Sequence, residues 1–298
     1  MSKRSWALLA ATLVSIIYGV TFTIAKDVMP EFIEPFGFIV LRVGGSMILF
    51  WLITFWNPKE KIALVDFPRI LAAALFGVAL NMLTFFKGLS YTSPIMAAVL
   101  MVTTPMLVLI LSTILIREKM KKRKILGIFI GLLGTIVLIL YGKSAINAPN
   151  AAWGNFLVFI NAASYALYLI LVKKLMDKYN AFTFVKWIYT FGFLMVLPFG
   201  WNEFEAVTWE LFPNHIWWKV VFVVVFSTFL TYLLNLVSMR ELKPTTVAVF
   251  IYLQPLFATV FAISLGKDDL GWIKLGAAVL IFIGVFLVTQ KKKEPSIN

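Results

Sequence analysis

Residues 92–139 read TSPIMAAVLMVTTPMLVLILSTILIREKMKKRKILGIFIGLLGTIVLI, and residues 242–289 read LKPTTVAVFIYLQPLFATVFAISLGKDDLGWIKLGAAVLIFIGVFLVT. The second stretch aligns with the first without a gap. The alignment pairs residues that a shared apolar composition would not bring into register, namely Pro94 with Pro244, Pro105 with Pro255, Glu118 with Asp268, Lys124 with Lys274 and Gly134 with Gly284. The chain therefore contains an internal repeat.

The repeat extends to the beginning of the chain at a slightly different offset. Trp6 aligns with Trp153, Tyr18 with Tyr165 and Lys26 with Lys173. We therefore predict two homologous halves, residues 1–145 and residues 146–298.

The composition predicts that both halves lie in a membrane. Of the 298 residues, 61% are hydrophobic and 14% are charged, whereas soluble domains carry about 25% charged residues. A helix needs about 20 apolar residues to cross the hydrocarbon. Ten segments qualify as helical spans, roughly Trp6–Ala25, Phe36–Trp56, Ile70–Phe86, Pro94–Ile116, Ile125–Tyr141, Trp153–Val172, Phe184–Trp201, Val220–Leu236, Thr245–Leu265 and Trp272–Thr289.

Each half holds five spans, so the second half must enter the membrane from the opposite side to the first. Inverted repeats are a recurring construction of secondary transporters, with the substrate near the bilayer midplane between the repeats. The predicted fold class is an all-α integral membrane protein of ten transmembrane helices in two inverted five-helix repeats.

Basic residues predict the orientation. With the N-terminus inside, 20 lysines and arginines lie on the cytoplasmic side and six on the outer side, which is the asymmetry expected of cytoplasmic loops. We therefore expect both termini in the cytoplasm and location in the plasma (bacterial inner) membrane. Tryptophans near span ends fit an interfacial belt. A cleaved signal peptide is the less favoured interpretation of the first span, because that span has a partner later in the chain.

Other functional classes find little support. The net charge of +13 lies in short loops rather than in a basic patch of a soluble domain, so we expect no nucleic-acid partner. The chain has no cysteine, and its one histidine, His215, falls in a predicted outer loop. We therefore expect no metal site, no cofactor and no catalytic residue. The expected partners are the lipid bilayer and a small-molecule substrate, with the chain as a monomer or a homodimer.

Several residues resemble those of a known family. Ala98, Pro105, Glu118, Gly127 and Gly134 resemble the EamA repeat of the drug/metabolite transporter superfamily, as do Pro35 with Arg42 and the Tyr-Leu-Gln-Pro run at residues 252–255. The resemblance covers nearly the whole chain, twice. It implies an exporter of amino acids or other metabolites, and the related sugar-phosphate carriers are exchangers. The second repeat differs, with Gln254 where glutamate is frequent and Lys267-Asp268 where the repeat has Gly-Glu.

Polar residues within spans are the candidate substrate contacts, since polar groups in lipid are costly unless they face protein or water. Asn161, Ser164, Tyr165 and Tyr168 fall on one helical face of span 6. The full set of candidates is Tyr18, Thr21, Asn81, Thr84, Met101, Thr104, Asn161, Ser164, Tyr165, Tyr168, Thr228, Thr231, Asn235 and Gln254. The alternative is that these groups only hydrogen-bond between packed helices.

Four further features each have two interpretations. Pro105 and Pro255 are candidate hinges or static kinks in mid-span. Arg42 is able to bind a substrate carboxylate or phosphate, but a structural or snorkelling role is favoured. Glu118 and Asp268 are expected to anchor loops or cap helices. The glycines of spans 5 and 10 are expected to pack helices, within the bundle or between protomers.

The sequence thus predicts a small-molecule carrier. No carboxylate lies in a predicted span core, so facilitated export or exchange is favoured over coupling through a buried acid. A membrane channel or a non-transporting scaffold is the alternative. An intramembrane enzyme is less favoured, because the acid, base and metal groups it would need are missing from the spans.

Overall fold

The computed structural model describes residues 2–55, 60–91, 97, 100–140, 151–264 and 271–290. Within these ranges every regular element is helical. Pro94, Ala98 and the pair Lys267-Asp268 lie outside the described residues, so their predicted roles are left as predictions.

The described helices correspond one to one with the ten predicted spans and are numbered α1 to α10. In the first half they are α1 Lys3–Lys26, α2 Pro35–Thr54, α3 in three consecutive parts Phe67–Ala74, Leu75–Ala79 and Leu80–Tyr91, α4 Thr104–Leu115, and α5 Lys122–Leu140. In the second half they are α6 Ala151–Met176, α7 Ala181–Glu205, α8 in parts Asn214–Val221, Phe222–Leu230 and Thr231–Glu241, α9 in parts Pro244–Ala248, Val249–Tyr252 and Leu253–Ser264, and α10 Trp272–Thr289.

The outside of the bundle is apolar in the way that a bilayer requires. Large hydrophobic side chains such as Leu133, Phe159 and Phe282 are about half exposed along the helices, and eight of the helices are long and apolar enough to cross a membrane. The predicted all-α integral membrane fold is confirmed.

Packing between the halves follows the symmetry of the repeat. α1 packs against α8 and α9, while its repeat partner α6 packs against α3 and α4. Exchanging the two halves converts the first set of contacts into the second. In the contacts of α2 with α7 and of α5 with α10, each helix packs against its own repeat partner, so the exchange leaves these contacts unchanged. This is the contact pattern of two inverted five-helix repeats.

Glycines permit the closest of these contacts. A Cβ atom built on Gly284 of α10 would lie 2.6 Å from the Cα of Gly131 in α5, so any side chain at this point would force the two helices apart. The predicted packing role therefore applies within the bundle for Gly127, Gly131, Gly134 and Gly284, whereas a Cβ atom built on Gly276 would meet no atom of the described residues within 4 Å.

Two spans contain π-helical segments, Leu75–Ala79 in α3 and Phe222–Leu230 in α8. α3 and α8 are repeat partners, and the two segments overlap at the offset of the internal repeat. A π turn widens the helix and leaves its backbone groups less completely paired than an α turn does, which is why such turns are frequent at functional sites.

We call the side of the bundle at which α1 begins and α10 ends the proximal side. There Arg4 donates a hydrogen bond to the carbonyl oxygen of Thr289. The turn between α4 and α5 also lies on this side, with Arg117 at a φ of 50°. That turn buries Glu118, whose carboxylate accepts hydrogen bonds from Lys124 at 3.1 Å and from Thr245 at 2.7 Å. The anchoring role predicted for Glu118 is consistent with these contacts.

Candidate functional site

Polar side chains join α3 to α6 in the middle of the bundle. Asn161 donates through Nδ2 to the carbonyl oxygen of Asn81 at 2.7 Å, and Asn81 returns a longer bond of 3.4 Å to the carbonyl of Asn161. One turn further along α6, Ser164 donates to the carbonyl oxygen of Phe76 at 2.7 Å. The polar face predicted on α6 therefore faces the other half of the chain, not lipid.

The π segment of α3 accepts hydrogen bonds from the second half of the chain. Besides the bond from Ser164 to Phe76, Tyr232 of α8 donates to the carbonyl oxygen of Gly77 at 2.5 Å. Gly77 also has to be a glycine, because a Cβ atom there would lie 2.1 Å from the ring of Tyr168. The widened segment thus receives side chains from α6 and α8 at adjacent positions.

The contact between α1 and α8 is the symmetry-related counterpart of the α6–α3 contact. The hydroxyl of Thr231 donates to the carbonyl oxygen of Ser227 at 2.8 Å and lies close to Tyr18 across the interface. Thr231 is fully buried. Tyr18 and Tyr165, which the internal repeat pairs, thus contact α8 from the two halves of the chain.

The rings of Tyr165, Tyr168, Tyr232 and Tyr189 contact one another in a row, which we call the tyrosine wall. Tyr165 stacks on Tyr168 with ring centroids 5.8 Å apart, Tyr168 lies 5.7 Å from Tyr232, and Tyr232 lies 5.1 Å edge-on to Tyr189 of α7. The hydroxyl of Tyr165 accepts a hydrogen bond from Asn235 at 3.3 Å. The hydroxyl of Tyr168 is buried and has no hydrogen-bond partner among the described residues.

Arg42 of α2 lies beside this wall. Its side chain is buried, with 8% of the residue exposed, and its Nε donates to Thr228 of α8 at 3.1 Å. The guanidinium carbon lies 5.6 Å from the centre of the Phe86 ring, an approach at which a cation is attracted to an aromatic face. The sequence favoured a structural or snorkelling role. The burial of the side chain argues against snorkelling, and the structural role stays a prediction.

The structure brings together nine of the predicted site residues. Seven make hydrogen bonds or ring contacts that cross between helices, and Tyr18 and Thr231 lie close to each other across the α1–α8 interface. The nine are Tyr18, Asn81, Asn161, Ser164, Tyr165, Tyr168, Thr228, Thr231 and Asn235. We call these nine residues, with Arg42, Tyr189 and Tyr232, the central network. Its role in binding stays a prediction.

The remaining predicted site residues lie outside this set of contacts. Thr21, Thr84 and Thr104 each donate to a carbonyl oxygen of their own span, those of Ile17, Leu80 and Met101 respectively. Gln254 is partly buried next to Pro255.

The two mid-span prolines coincide with interruptions of their helices. α4 begins at Thr104, directly before Pro105, and follows a turn at residues 102–103. In α9 the 3₁₀ turn Val249–Tyr252 lies directly before the segment that contains Pro255. Because proline cannot donate a backbone hydrogen bond, both breaks have a local cause. Whether they act as hinges stays a prediction.

The candidate set from the sequence did not include Tyr189 and Tyr232, and it left substrate binding by Arg42 as the less favoured of two interpretations. A signal for Tyr189 existed, because the offset that aligns Tyr18 with Tyr165 also aligns Arg42 with Tyr189. Tyr232 follows Thr231 directly on the polar face of span 8. The π segments carry no comparable signal, since they are apolar stretches like those of other transmembrane helices.

The chemistry of the network is that of binding by hydroxyl, amide and guanidinium groups. Its described residues include no carboxylate, and no group of three or more histidine or acidic residues that could hold a metal ion occurs among the described parts of the chain. The rings of Tyr168, Tyr189 and Tyr232 are buried in the core, and Arg42 provides one positive charge.

Comparison with known proteins gives this arrangement a family. The EamA-like transporter family matches residues 5–140 and again residues 152–290. The chain belongs to this family. The two matches coincide with the two five-helix halves, so the resemblance inferred from the sequence is confirmed.

Full-length relatives agree with this assignment. The Uncharacterized transporter YetK of Bacillus subtilis is 26% identical over 99% of this chain and 90% of its own length. An Uncharacterized transporter of Archaeoglobus fulgidus is 27% identical over 97% of this chain and its entire length. One solved crystal structure superposes with a TM-score of 0.77 over 96% of both chains at 16% identity, a similarity that concerns the fold. The EamA-family chain is thus a membrane transporter.

Proposed function

We propose that this EamA-family protein is a secondary transporter that exports or exchanges a small metabolite, with an amino-acid-like solute favoured. It works by alternating access around a cavity near the bilayer midplane. The observation that carries this proposal is the central network, to which both inverted halves contribute in equivalent positions. When two such halves exchange conformations, a site between them changes the side of the membrane to which it opens.

The composition of the network supports a small, partly apolar solute. Tyrosines offer a ring for an apolar group and a hydroxyl to orient a polar one. Side-chain amides at Asn161 and Asn235 add donors and acceptors. Since the network contains no described carboxylate, coupling to protons through a buried acid is not part of the proposal.

The proposed orientation puts both termini in the cytoplasm of a cell whose plasma membrane holds the protein. It rests on the 20-to-6 distribution of basic residues. A reporter protein that works only in the cytoplasm should be active when it is fused after Asn298. Activity of a reporter that requires export would contradict the orientation.

Counterflow in proteoliposomes tests the transport mechanism. Vesicles loaded with an unlabelled amino acid should transiently accumulate the same labelled amino acid from outside, because exchange through one site is faster than net flux. The uptake should saturate and should discriminate between L and D isomers. Flux that rises linearly with concentration and lacks stereoselectivity would identify a channel, and equal uptake by protein-free vesicles would refute transport.

A further inference from the structure

Arg42 is a buried cation for which the described chain provides no counter-charge. No carboxylate among the described residues forms an ion pair with it, and the buried acids Asp66 and Glu118 pair with other residues. A guanidinium has five N–H donors. Only Nε donates to a described residue, so the terminal nitrogens, which carry four of the five, have no acceptor in the described part of the protein.

One edge of the guanidinium is nevertheless fixed. Thr228 accepts from Nε and donates its own hydroxyl hydrogen to the carbonyl oxygen of Val223 at 2.8 Å. Ser46, one turn after Arg42 in α2, donates to the carbonyl oxygen of Val224 at 3.1 Å. These bonds tie α2 to the π segment of α8, so they hold Arg42 in place without satisfying its terminal nitrogens.

Other arginines of the chain use their terminal nitrogens differently. Arg123 donates from both of them to Gln290, at 2.6 and 2.7 Å. Arg4 donates to a backbone carbonyl. An arginine with a purely structural role would be expected to bind such acceptors within the protein, and in the centre of the bundle the need is greater because water is scarce.

We propose that the terminal nitrogens of Arg42 bind the carboxylate of the transported solute, so that the substrates are small organic monocarboxylates, amino acids among them. This inference rests on the proposed transport function and specifies its substrate class. The planar pair of terminal nitrogens matches the two oxygens of a carboxylate. The Phe86 ring lies 5.6 Å from the guanidinium carbon, and Thr228 fixes its Nε edge.

The charge of the site selects a solute with a single carboxylate. Arg42 is the one lysine or arginine that the described residues contribute to the central network, and a carboxylate neutralises its single charge. A phosphate monoester carries a second negative charge near neutral pH and would need a second cation. The tyrosine wall beside Arg42 then receives the body of the solute.

Ligand binding to the purified wild-type protein provides the first test. The probes are the common L-amino acids and short branched or aryl monocarboxylates, each measured beside its primary amide by the rise in Tm. We expect some carboxylates to raise the Tm in a saturable way and their amides to bind at least about tenfold more weakly, which corresponds to about 1.4 kcal/mol. Equal stabilisation by acid and amide would overturn the inference, as would stabilisation by no carboxylate, or tighter binding of an aryl phosphate than of the matching carboxylate.

Substitution of Arg42 provides the second test. Arg42→Gln should weaken binding of the stabilising carboxylates by at least about tenfold and remove the preference over the amides, whereas Arg42→Lys should retain part of that preference because it keeps the charge. Arg240→Gln is the matched control, since Arg240 is exposed at the end of α8, and its affinities should equal those of the wild type. Unchanged carboxylate binding by Arg42→Gln would overturn the assignment. If that variant does not fold, the comparison of acids with amides on the wild-type protein decides whether a carboxylate is recognised.

The two proposals fail in different ways. Carboxylate binding that depends on Arg42 without counterflow would contradict transport and leave the site intact. Saturable counterflow of an uncharged solute, with no carboxylate bound, would leave transport intact and contradict the site.

Discussion

Lys124 and Arg42 are both largely buried cations, but the protein surrounds them differently. The Nζ atom of Lys124 lies 3.1 Å from a carboxylate oxygen of Glu118 and 3.3 and 3.4 Å from the hydroxyls of Thr245 and Thr246. Arg42 has one hydrogen bond, to a hydroxyl, and no described carboxylate. Removing a charge from water is costly unless the charge is paired. The chain supplies the pair for Lys124, and we infer that the solute supplies it for Arg42.

The locations of the two residues agree with this difference. Lys124 lies in the first turn of α5 on the proximal side, where its contact with Glu118 and Thr245 ties the α4–α5 turn to the start of α9. Arg42 lies two turns inside α2, next to Phe86 of α3 and Thr228 of α8. A charge that only joins helix ends does not need an unsatisfied donor, whereas a charge that binds a solute does.

The largest effect on stability is expected when Glu118 loses its charge. Glu118→Gln keeps the shape of the side chain and leaves Lys124 as a buried cation without a counter-charge. We expect a loss of about 3 kcal/mol in the free energy of unfolding, at the lower end of values for breaking a buried pair, because the side chain of Lys124 is still 16% exposed. Unfolding in mixed micelles with increasing denaturing detergent measures it. Lys119→Gln is the control, since this exposed neighbour should change stability very little.

Removing the lysine should cost less. In Lys124→Met the carboxylate of Glu118 keeps the hydroxyl of Thr245 at 2.7 Å and has Lys243 at 4.0 Å, so we expect a loss of about 2 kcal/mol, typical of a hydrogen bond to a charged group. Residues in direct contact are not additive. The double variant with Glu118→Gln should therefore lose less than the sum of the two single losses, and strict additivity would show that the pair is not coupled.

Neutralising Arg42, in contrast, is expected to change stability very little. Arg42→Gln loses the hydrogen bond to Thr228 but also removes a buried charge that the protein does not pair, and these effects offset each other. In the absence of ligand we expect the free energy of unfolding to stay within about 1 kcal/mol of the wild type, the size of one net hydrogen bond. The same denaturing titration measures it. A loss as large as that of Glu118→Gln would assign Arg42 to the structural class and remove the contrast with Lys124.

The sequence was sufficient to predict the ten spans and the repeat, because apolar length and the alignment of Pro105 with Pro255 are properties of the chain itself. It also predicted most of the central network, because polar residues with helical spacing inside a span have few alternatives to facing the protein. It did not predict the environment of Arg42. Whether an arginine two turns into a span faces lipid or protein depends on how α2 packs on α8, and neither helix carries that information alone.

The π segments were missed for a related reason. A π turn forms where one extra residue relieves a packing conflict, and in α3 the packing partner is the ring of Tyr168 against Gly77. That contact joins residues far apart in the sequence. The internal repeat makes α3 and α8 equivalent, but the sequence of neither helix indicates that it is widened. Tertiary contacts thus decided the local helical geometry.

The smallest expected effect distinguishes two adjacent tyrosines of the central network. Tyr165→Phe removes the hydroxyl that accepts a 3.3 Å hydrogen bond from Asn235, and bonds of this kind between membrane helices contribute about 0.6 kcal/mol on average. Tyr168→Phe is the matched control, because its hydroxyl has no partner among the described residues and its loss should leave stability unchanged or slightly improved. Both rings keep their stacking at 5.8 Å.

Counterflow measurements on the same variants distinguish a hydroxyl that binds the solute from one that only packs helices. If Tyr165 contacts the solute beside Arg42, Tyr165→Phe should lower counterflow per folded molecule or change its selectivity, with the amount of folded protein close to that of the wild type. A hydroxyl that serves packing alone would give a less stable protein with unaltered transport per folded molecule. That second result would remove Tyr165 from the site and leave the carboxylate preference to be decided by the Arg42 variants, because Arg42 and Tyr165 belong to different helices.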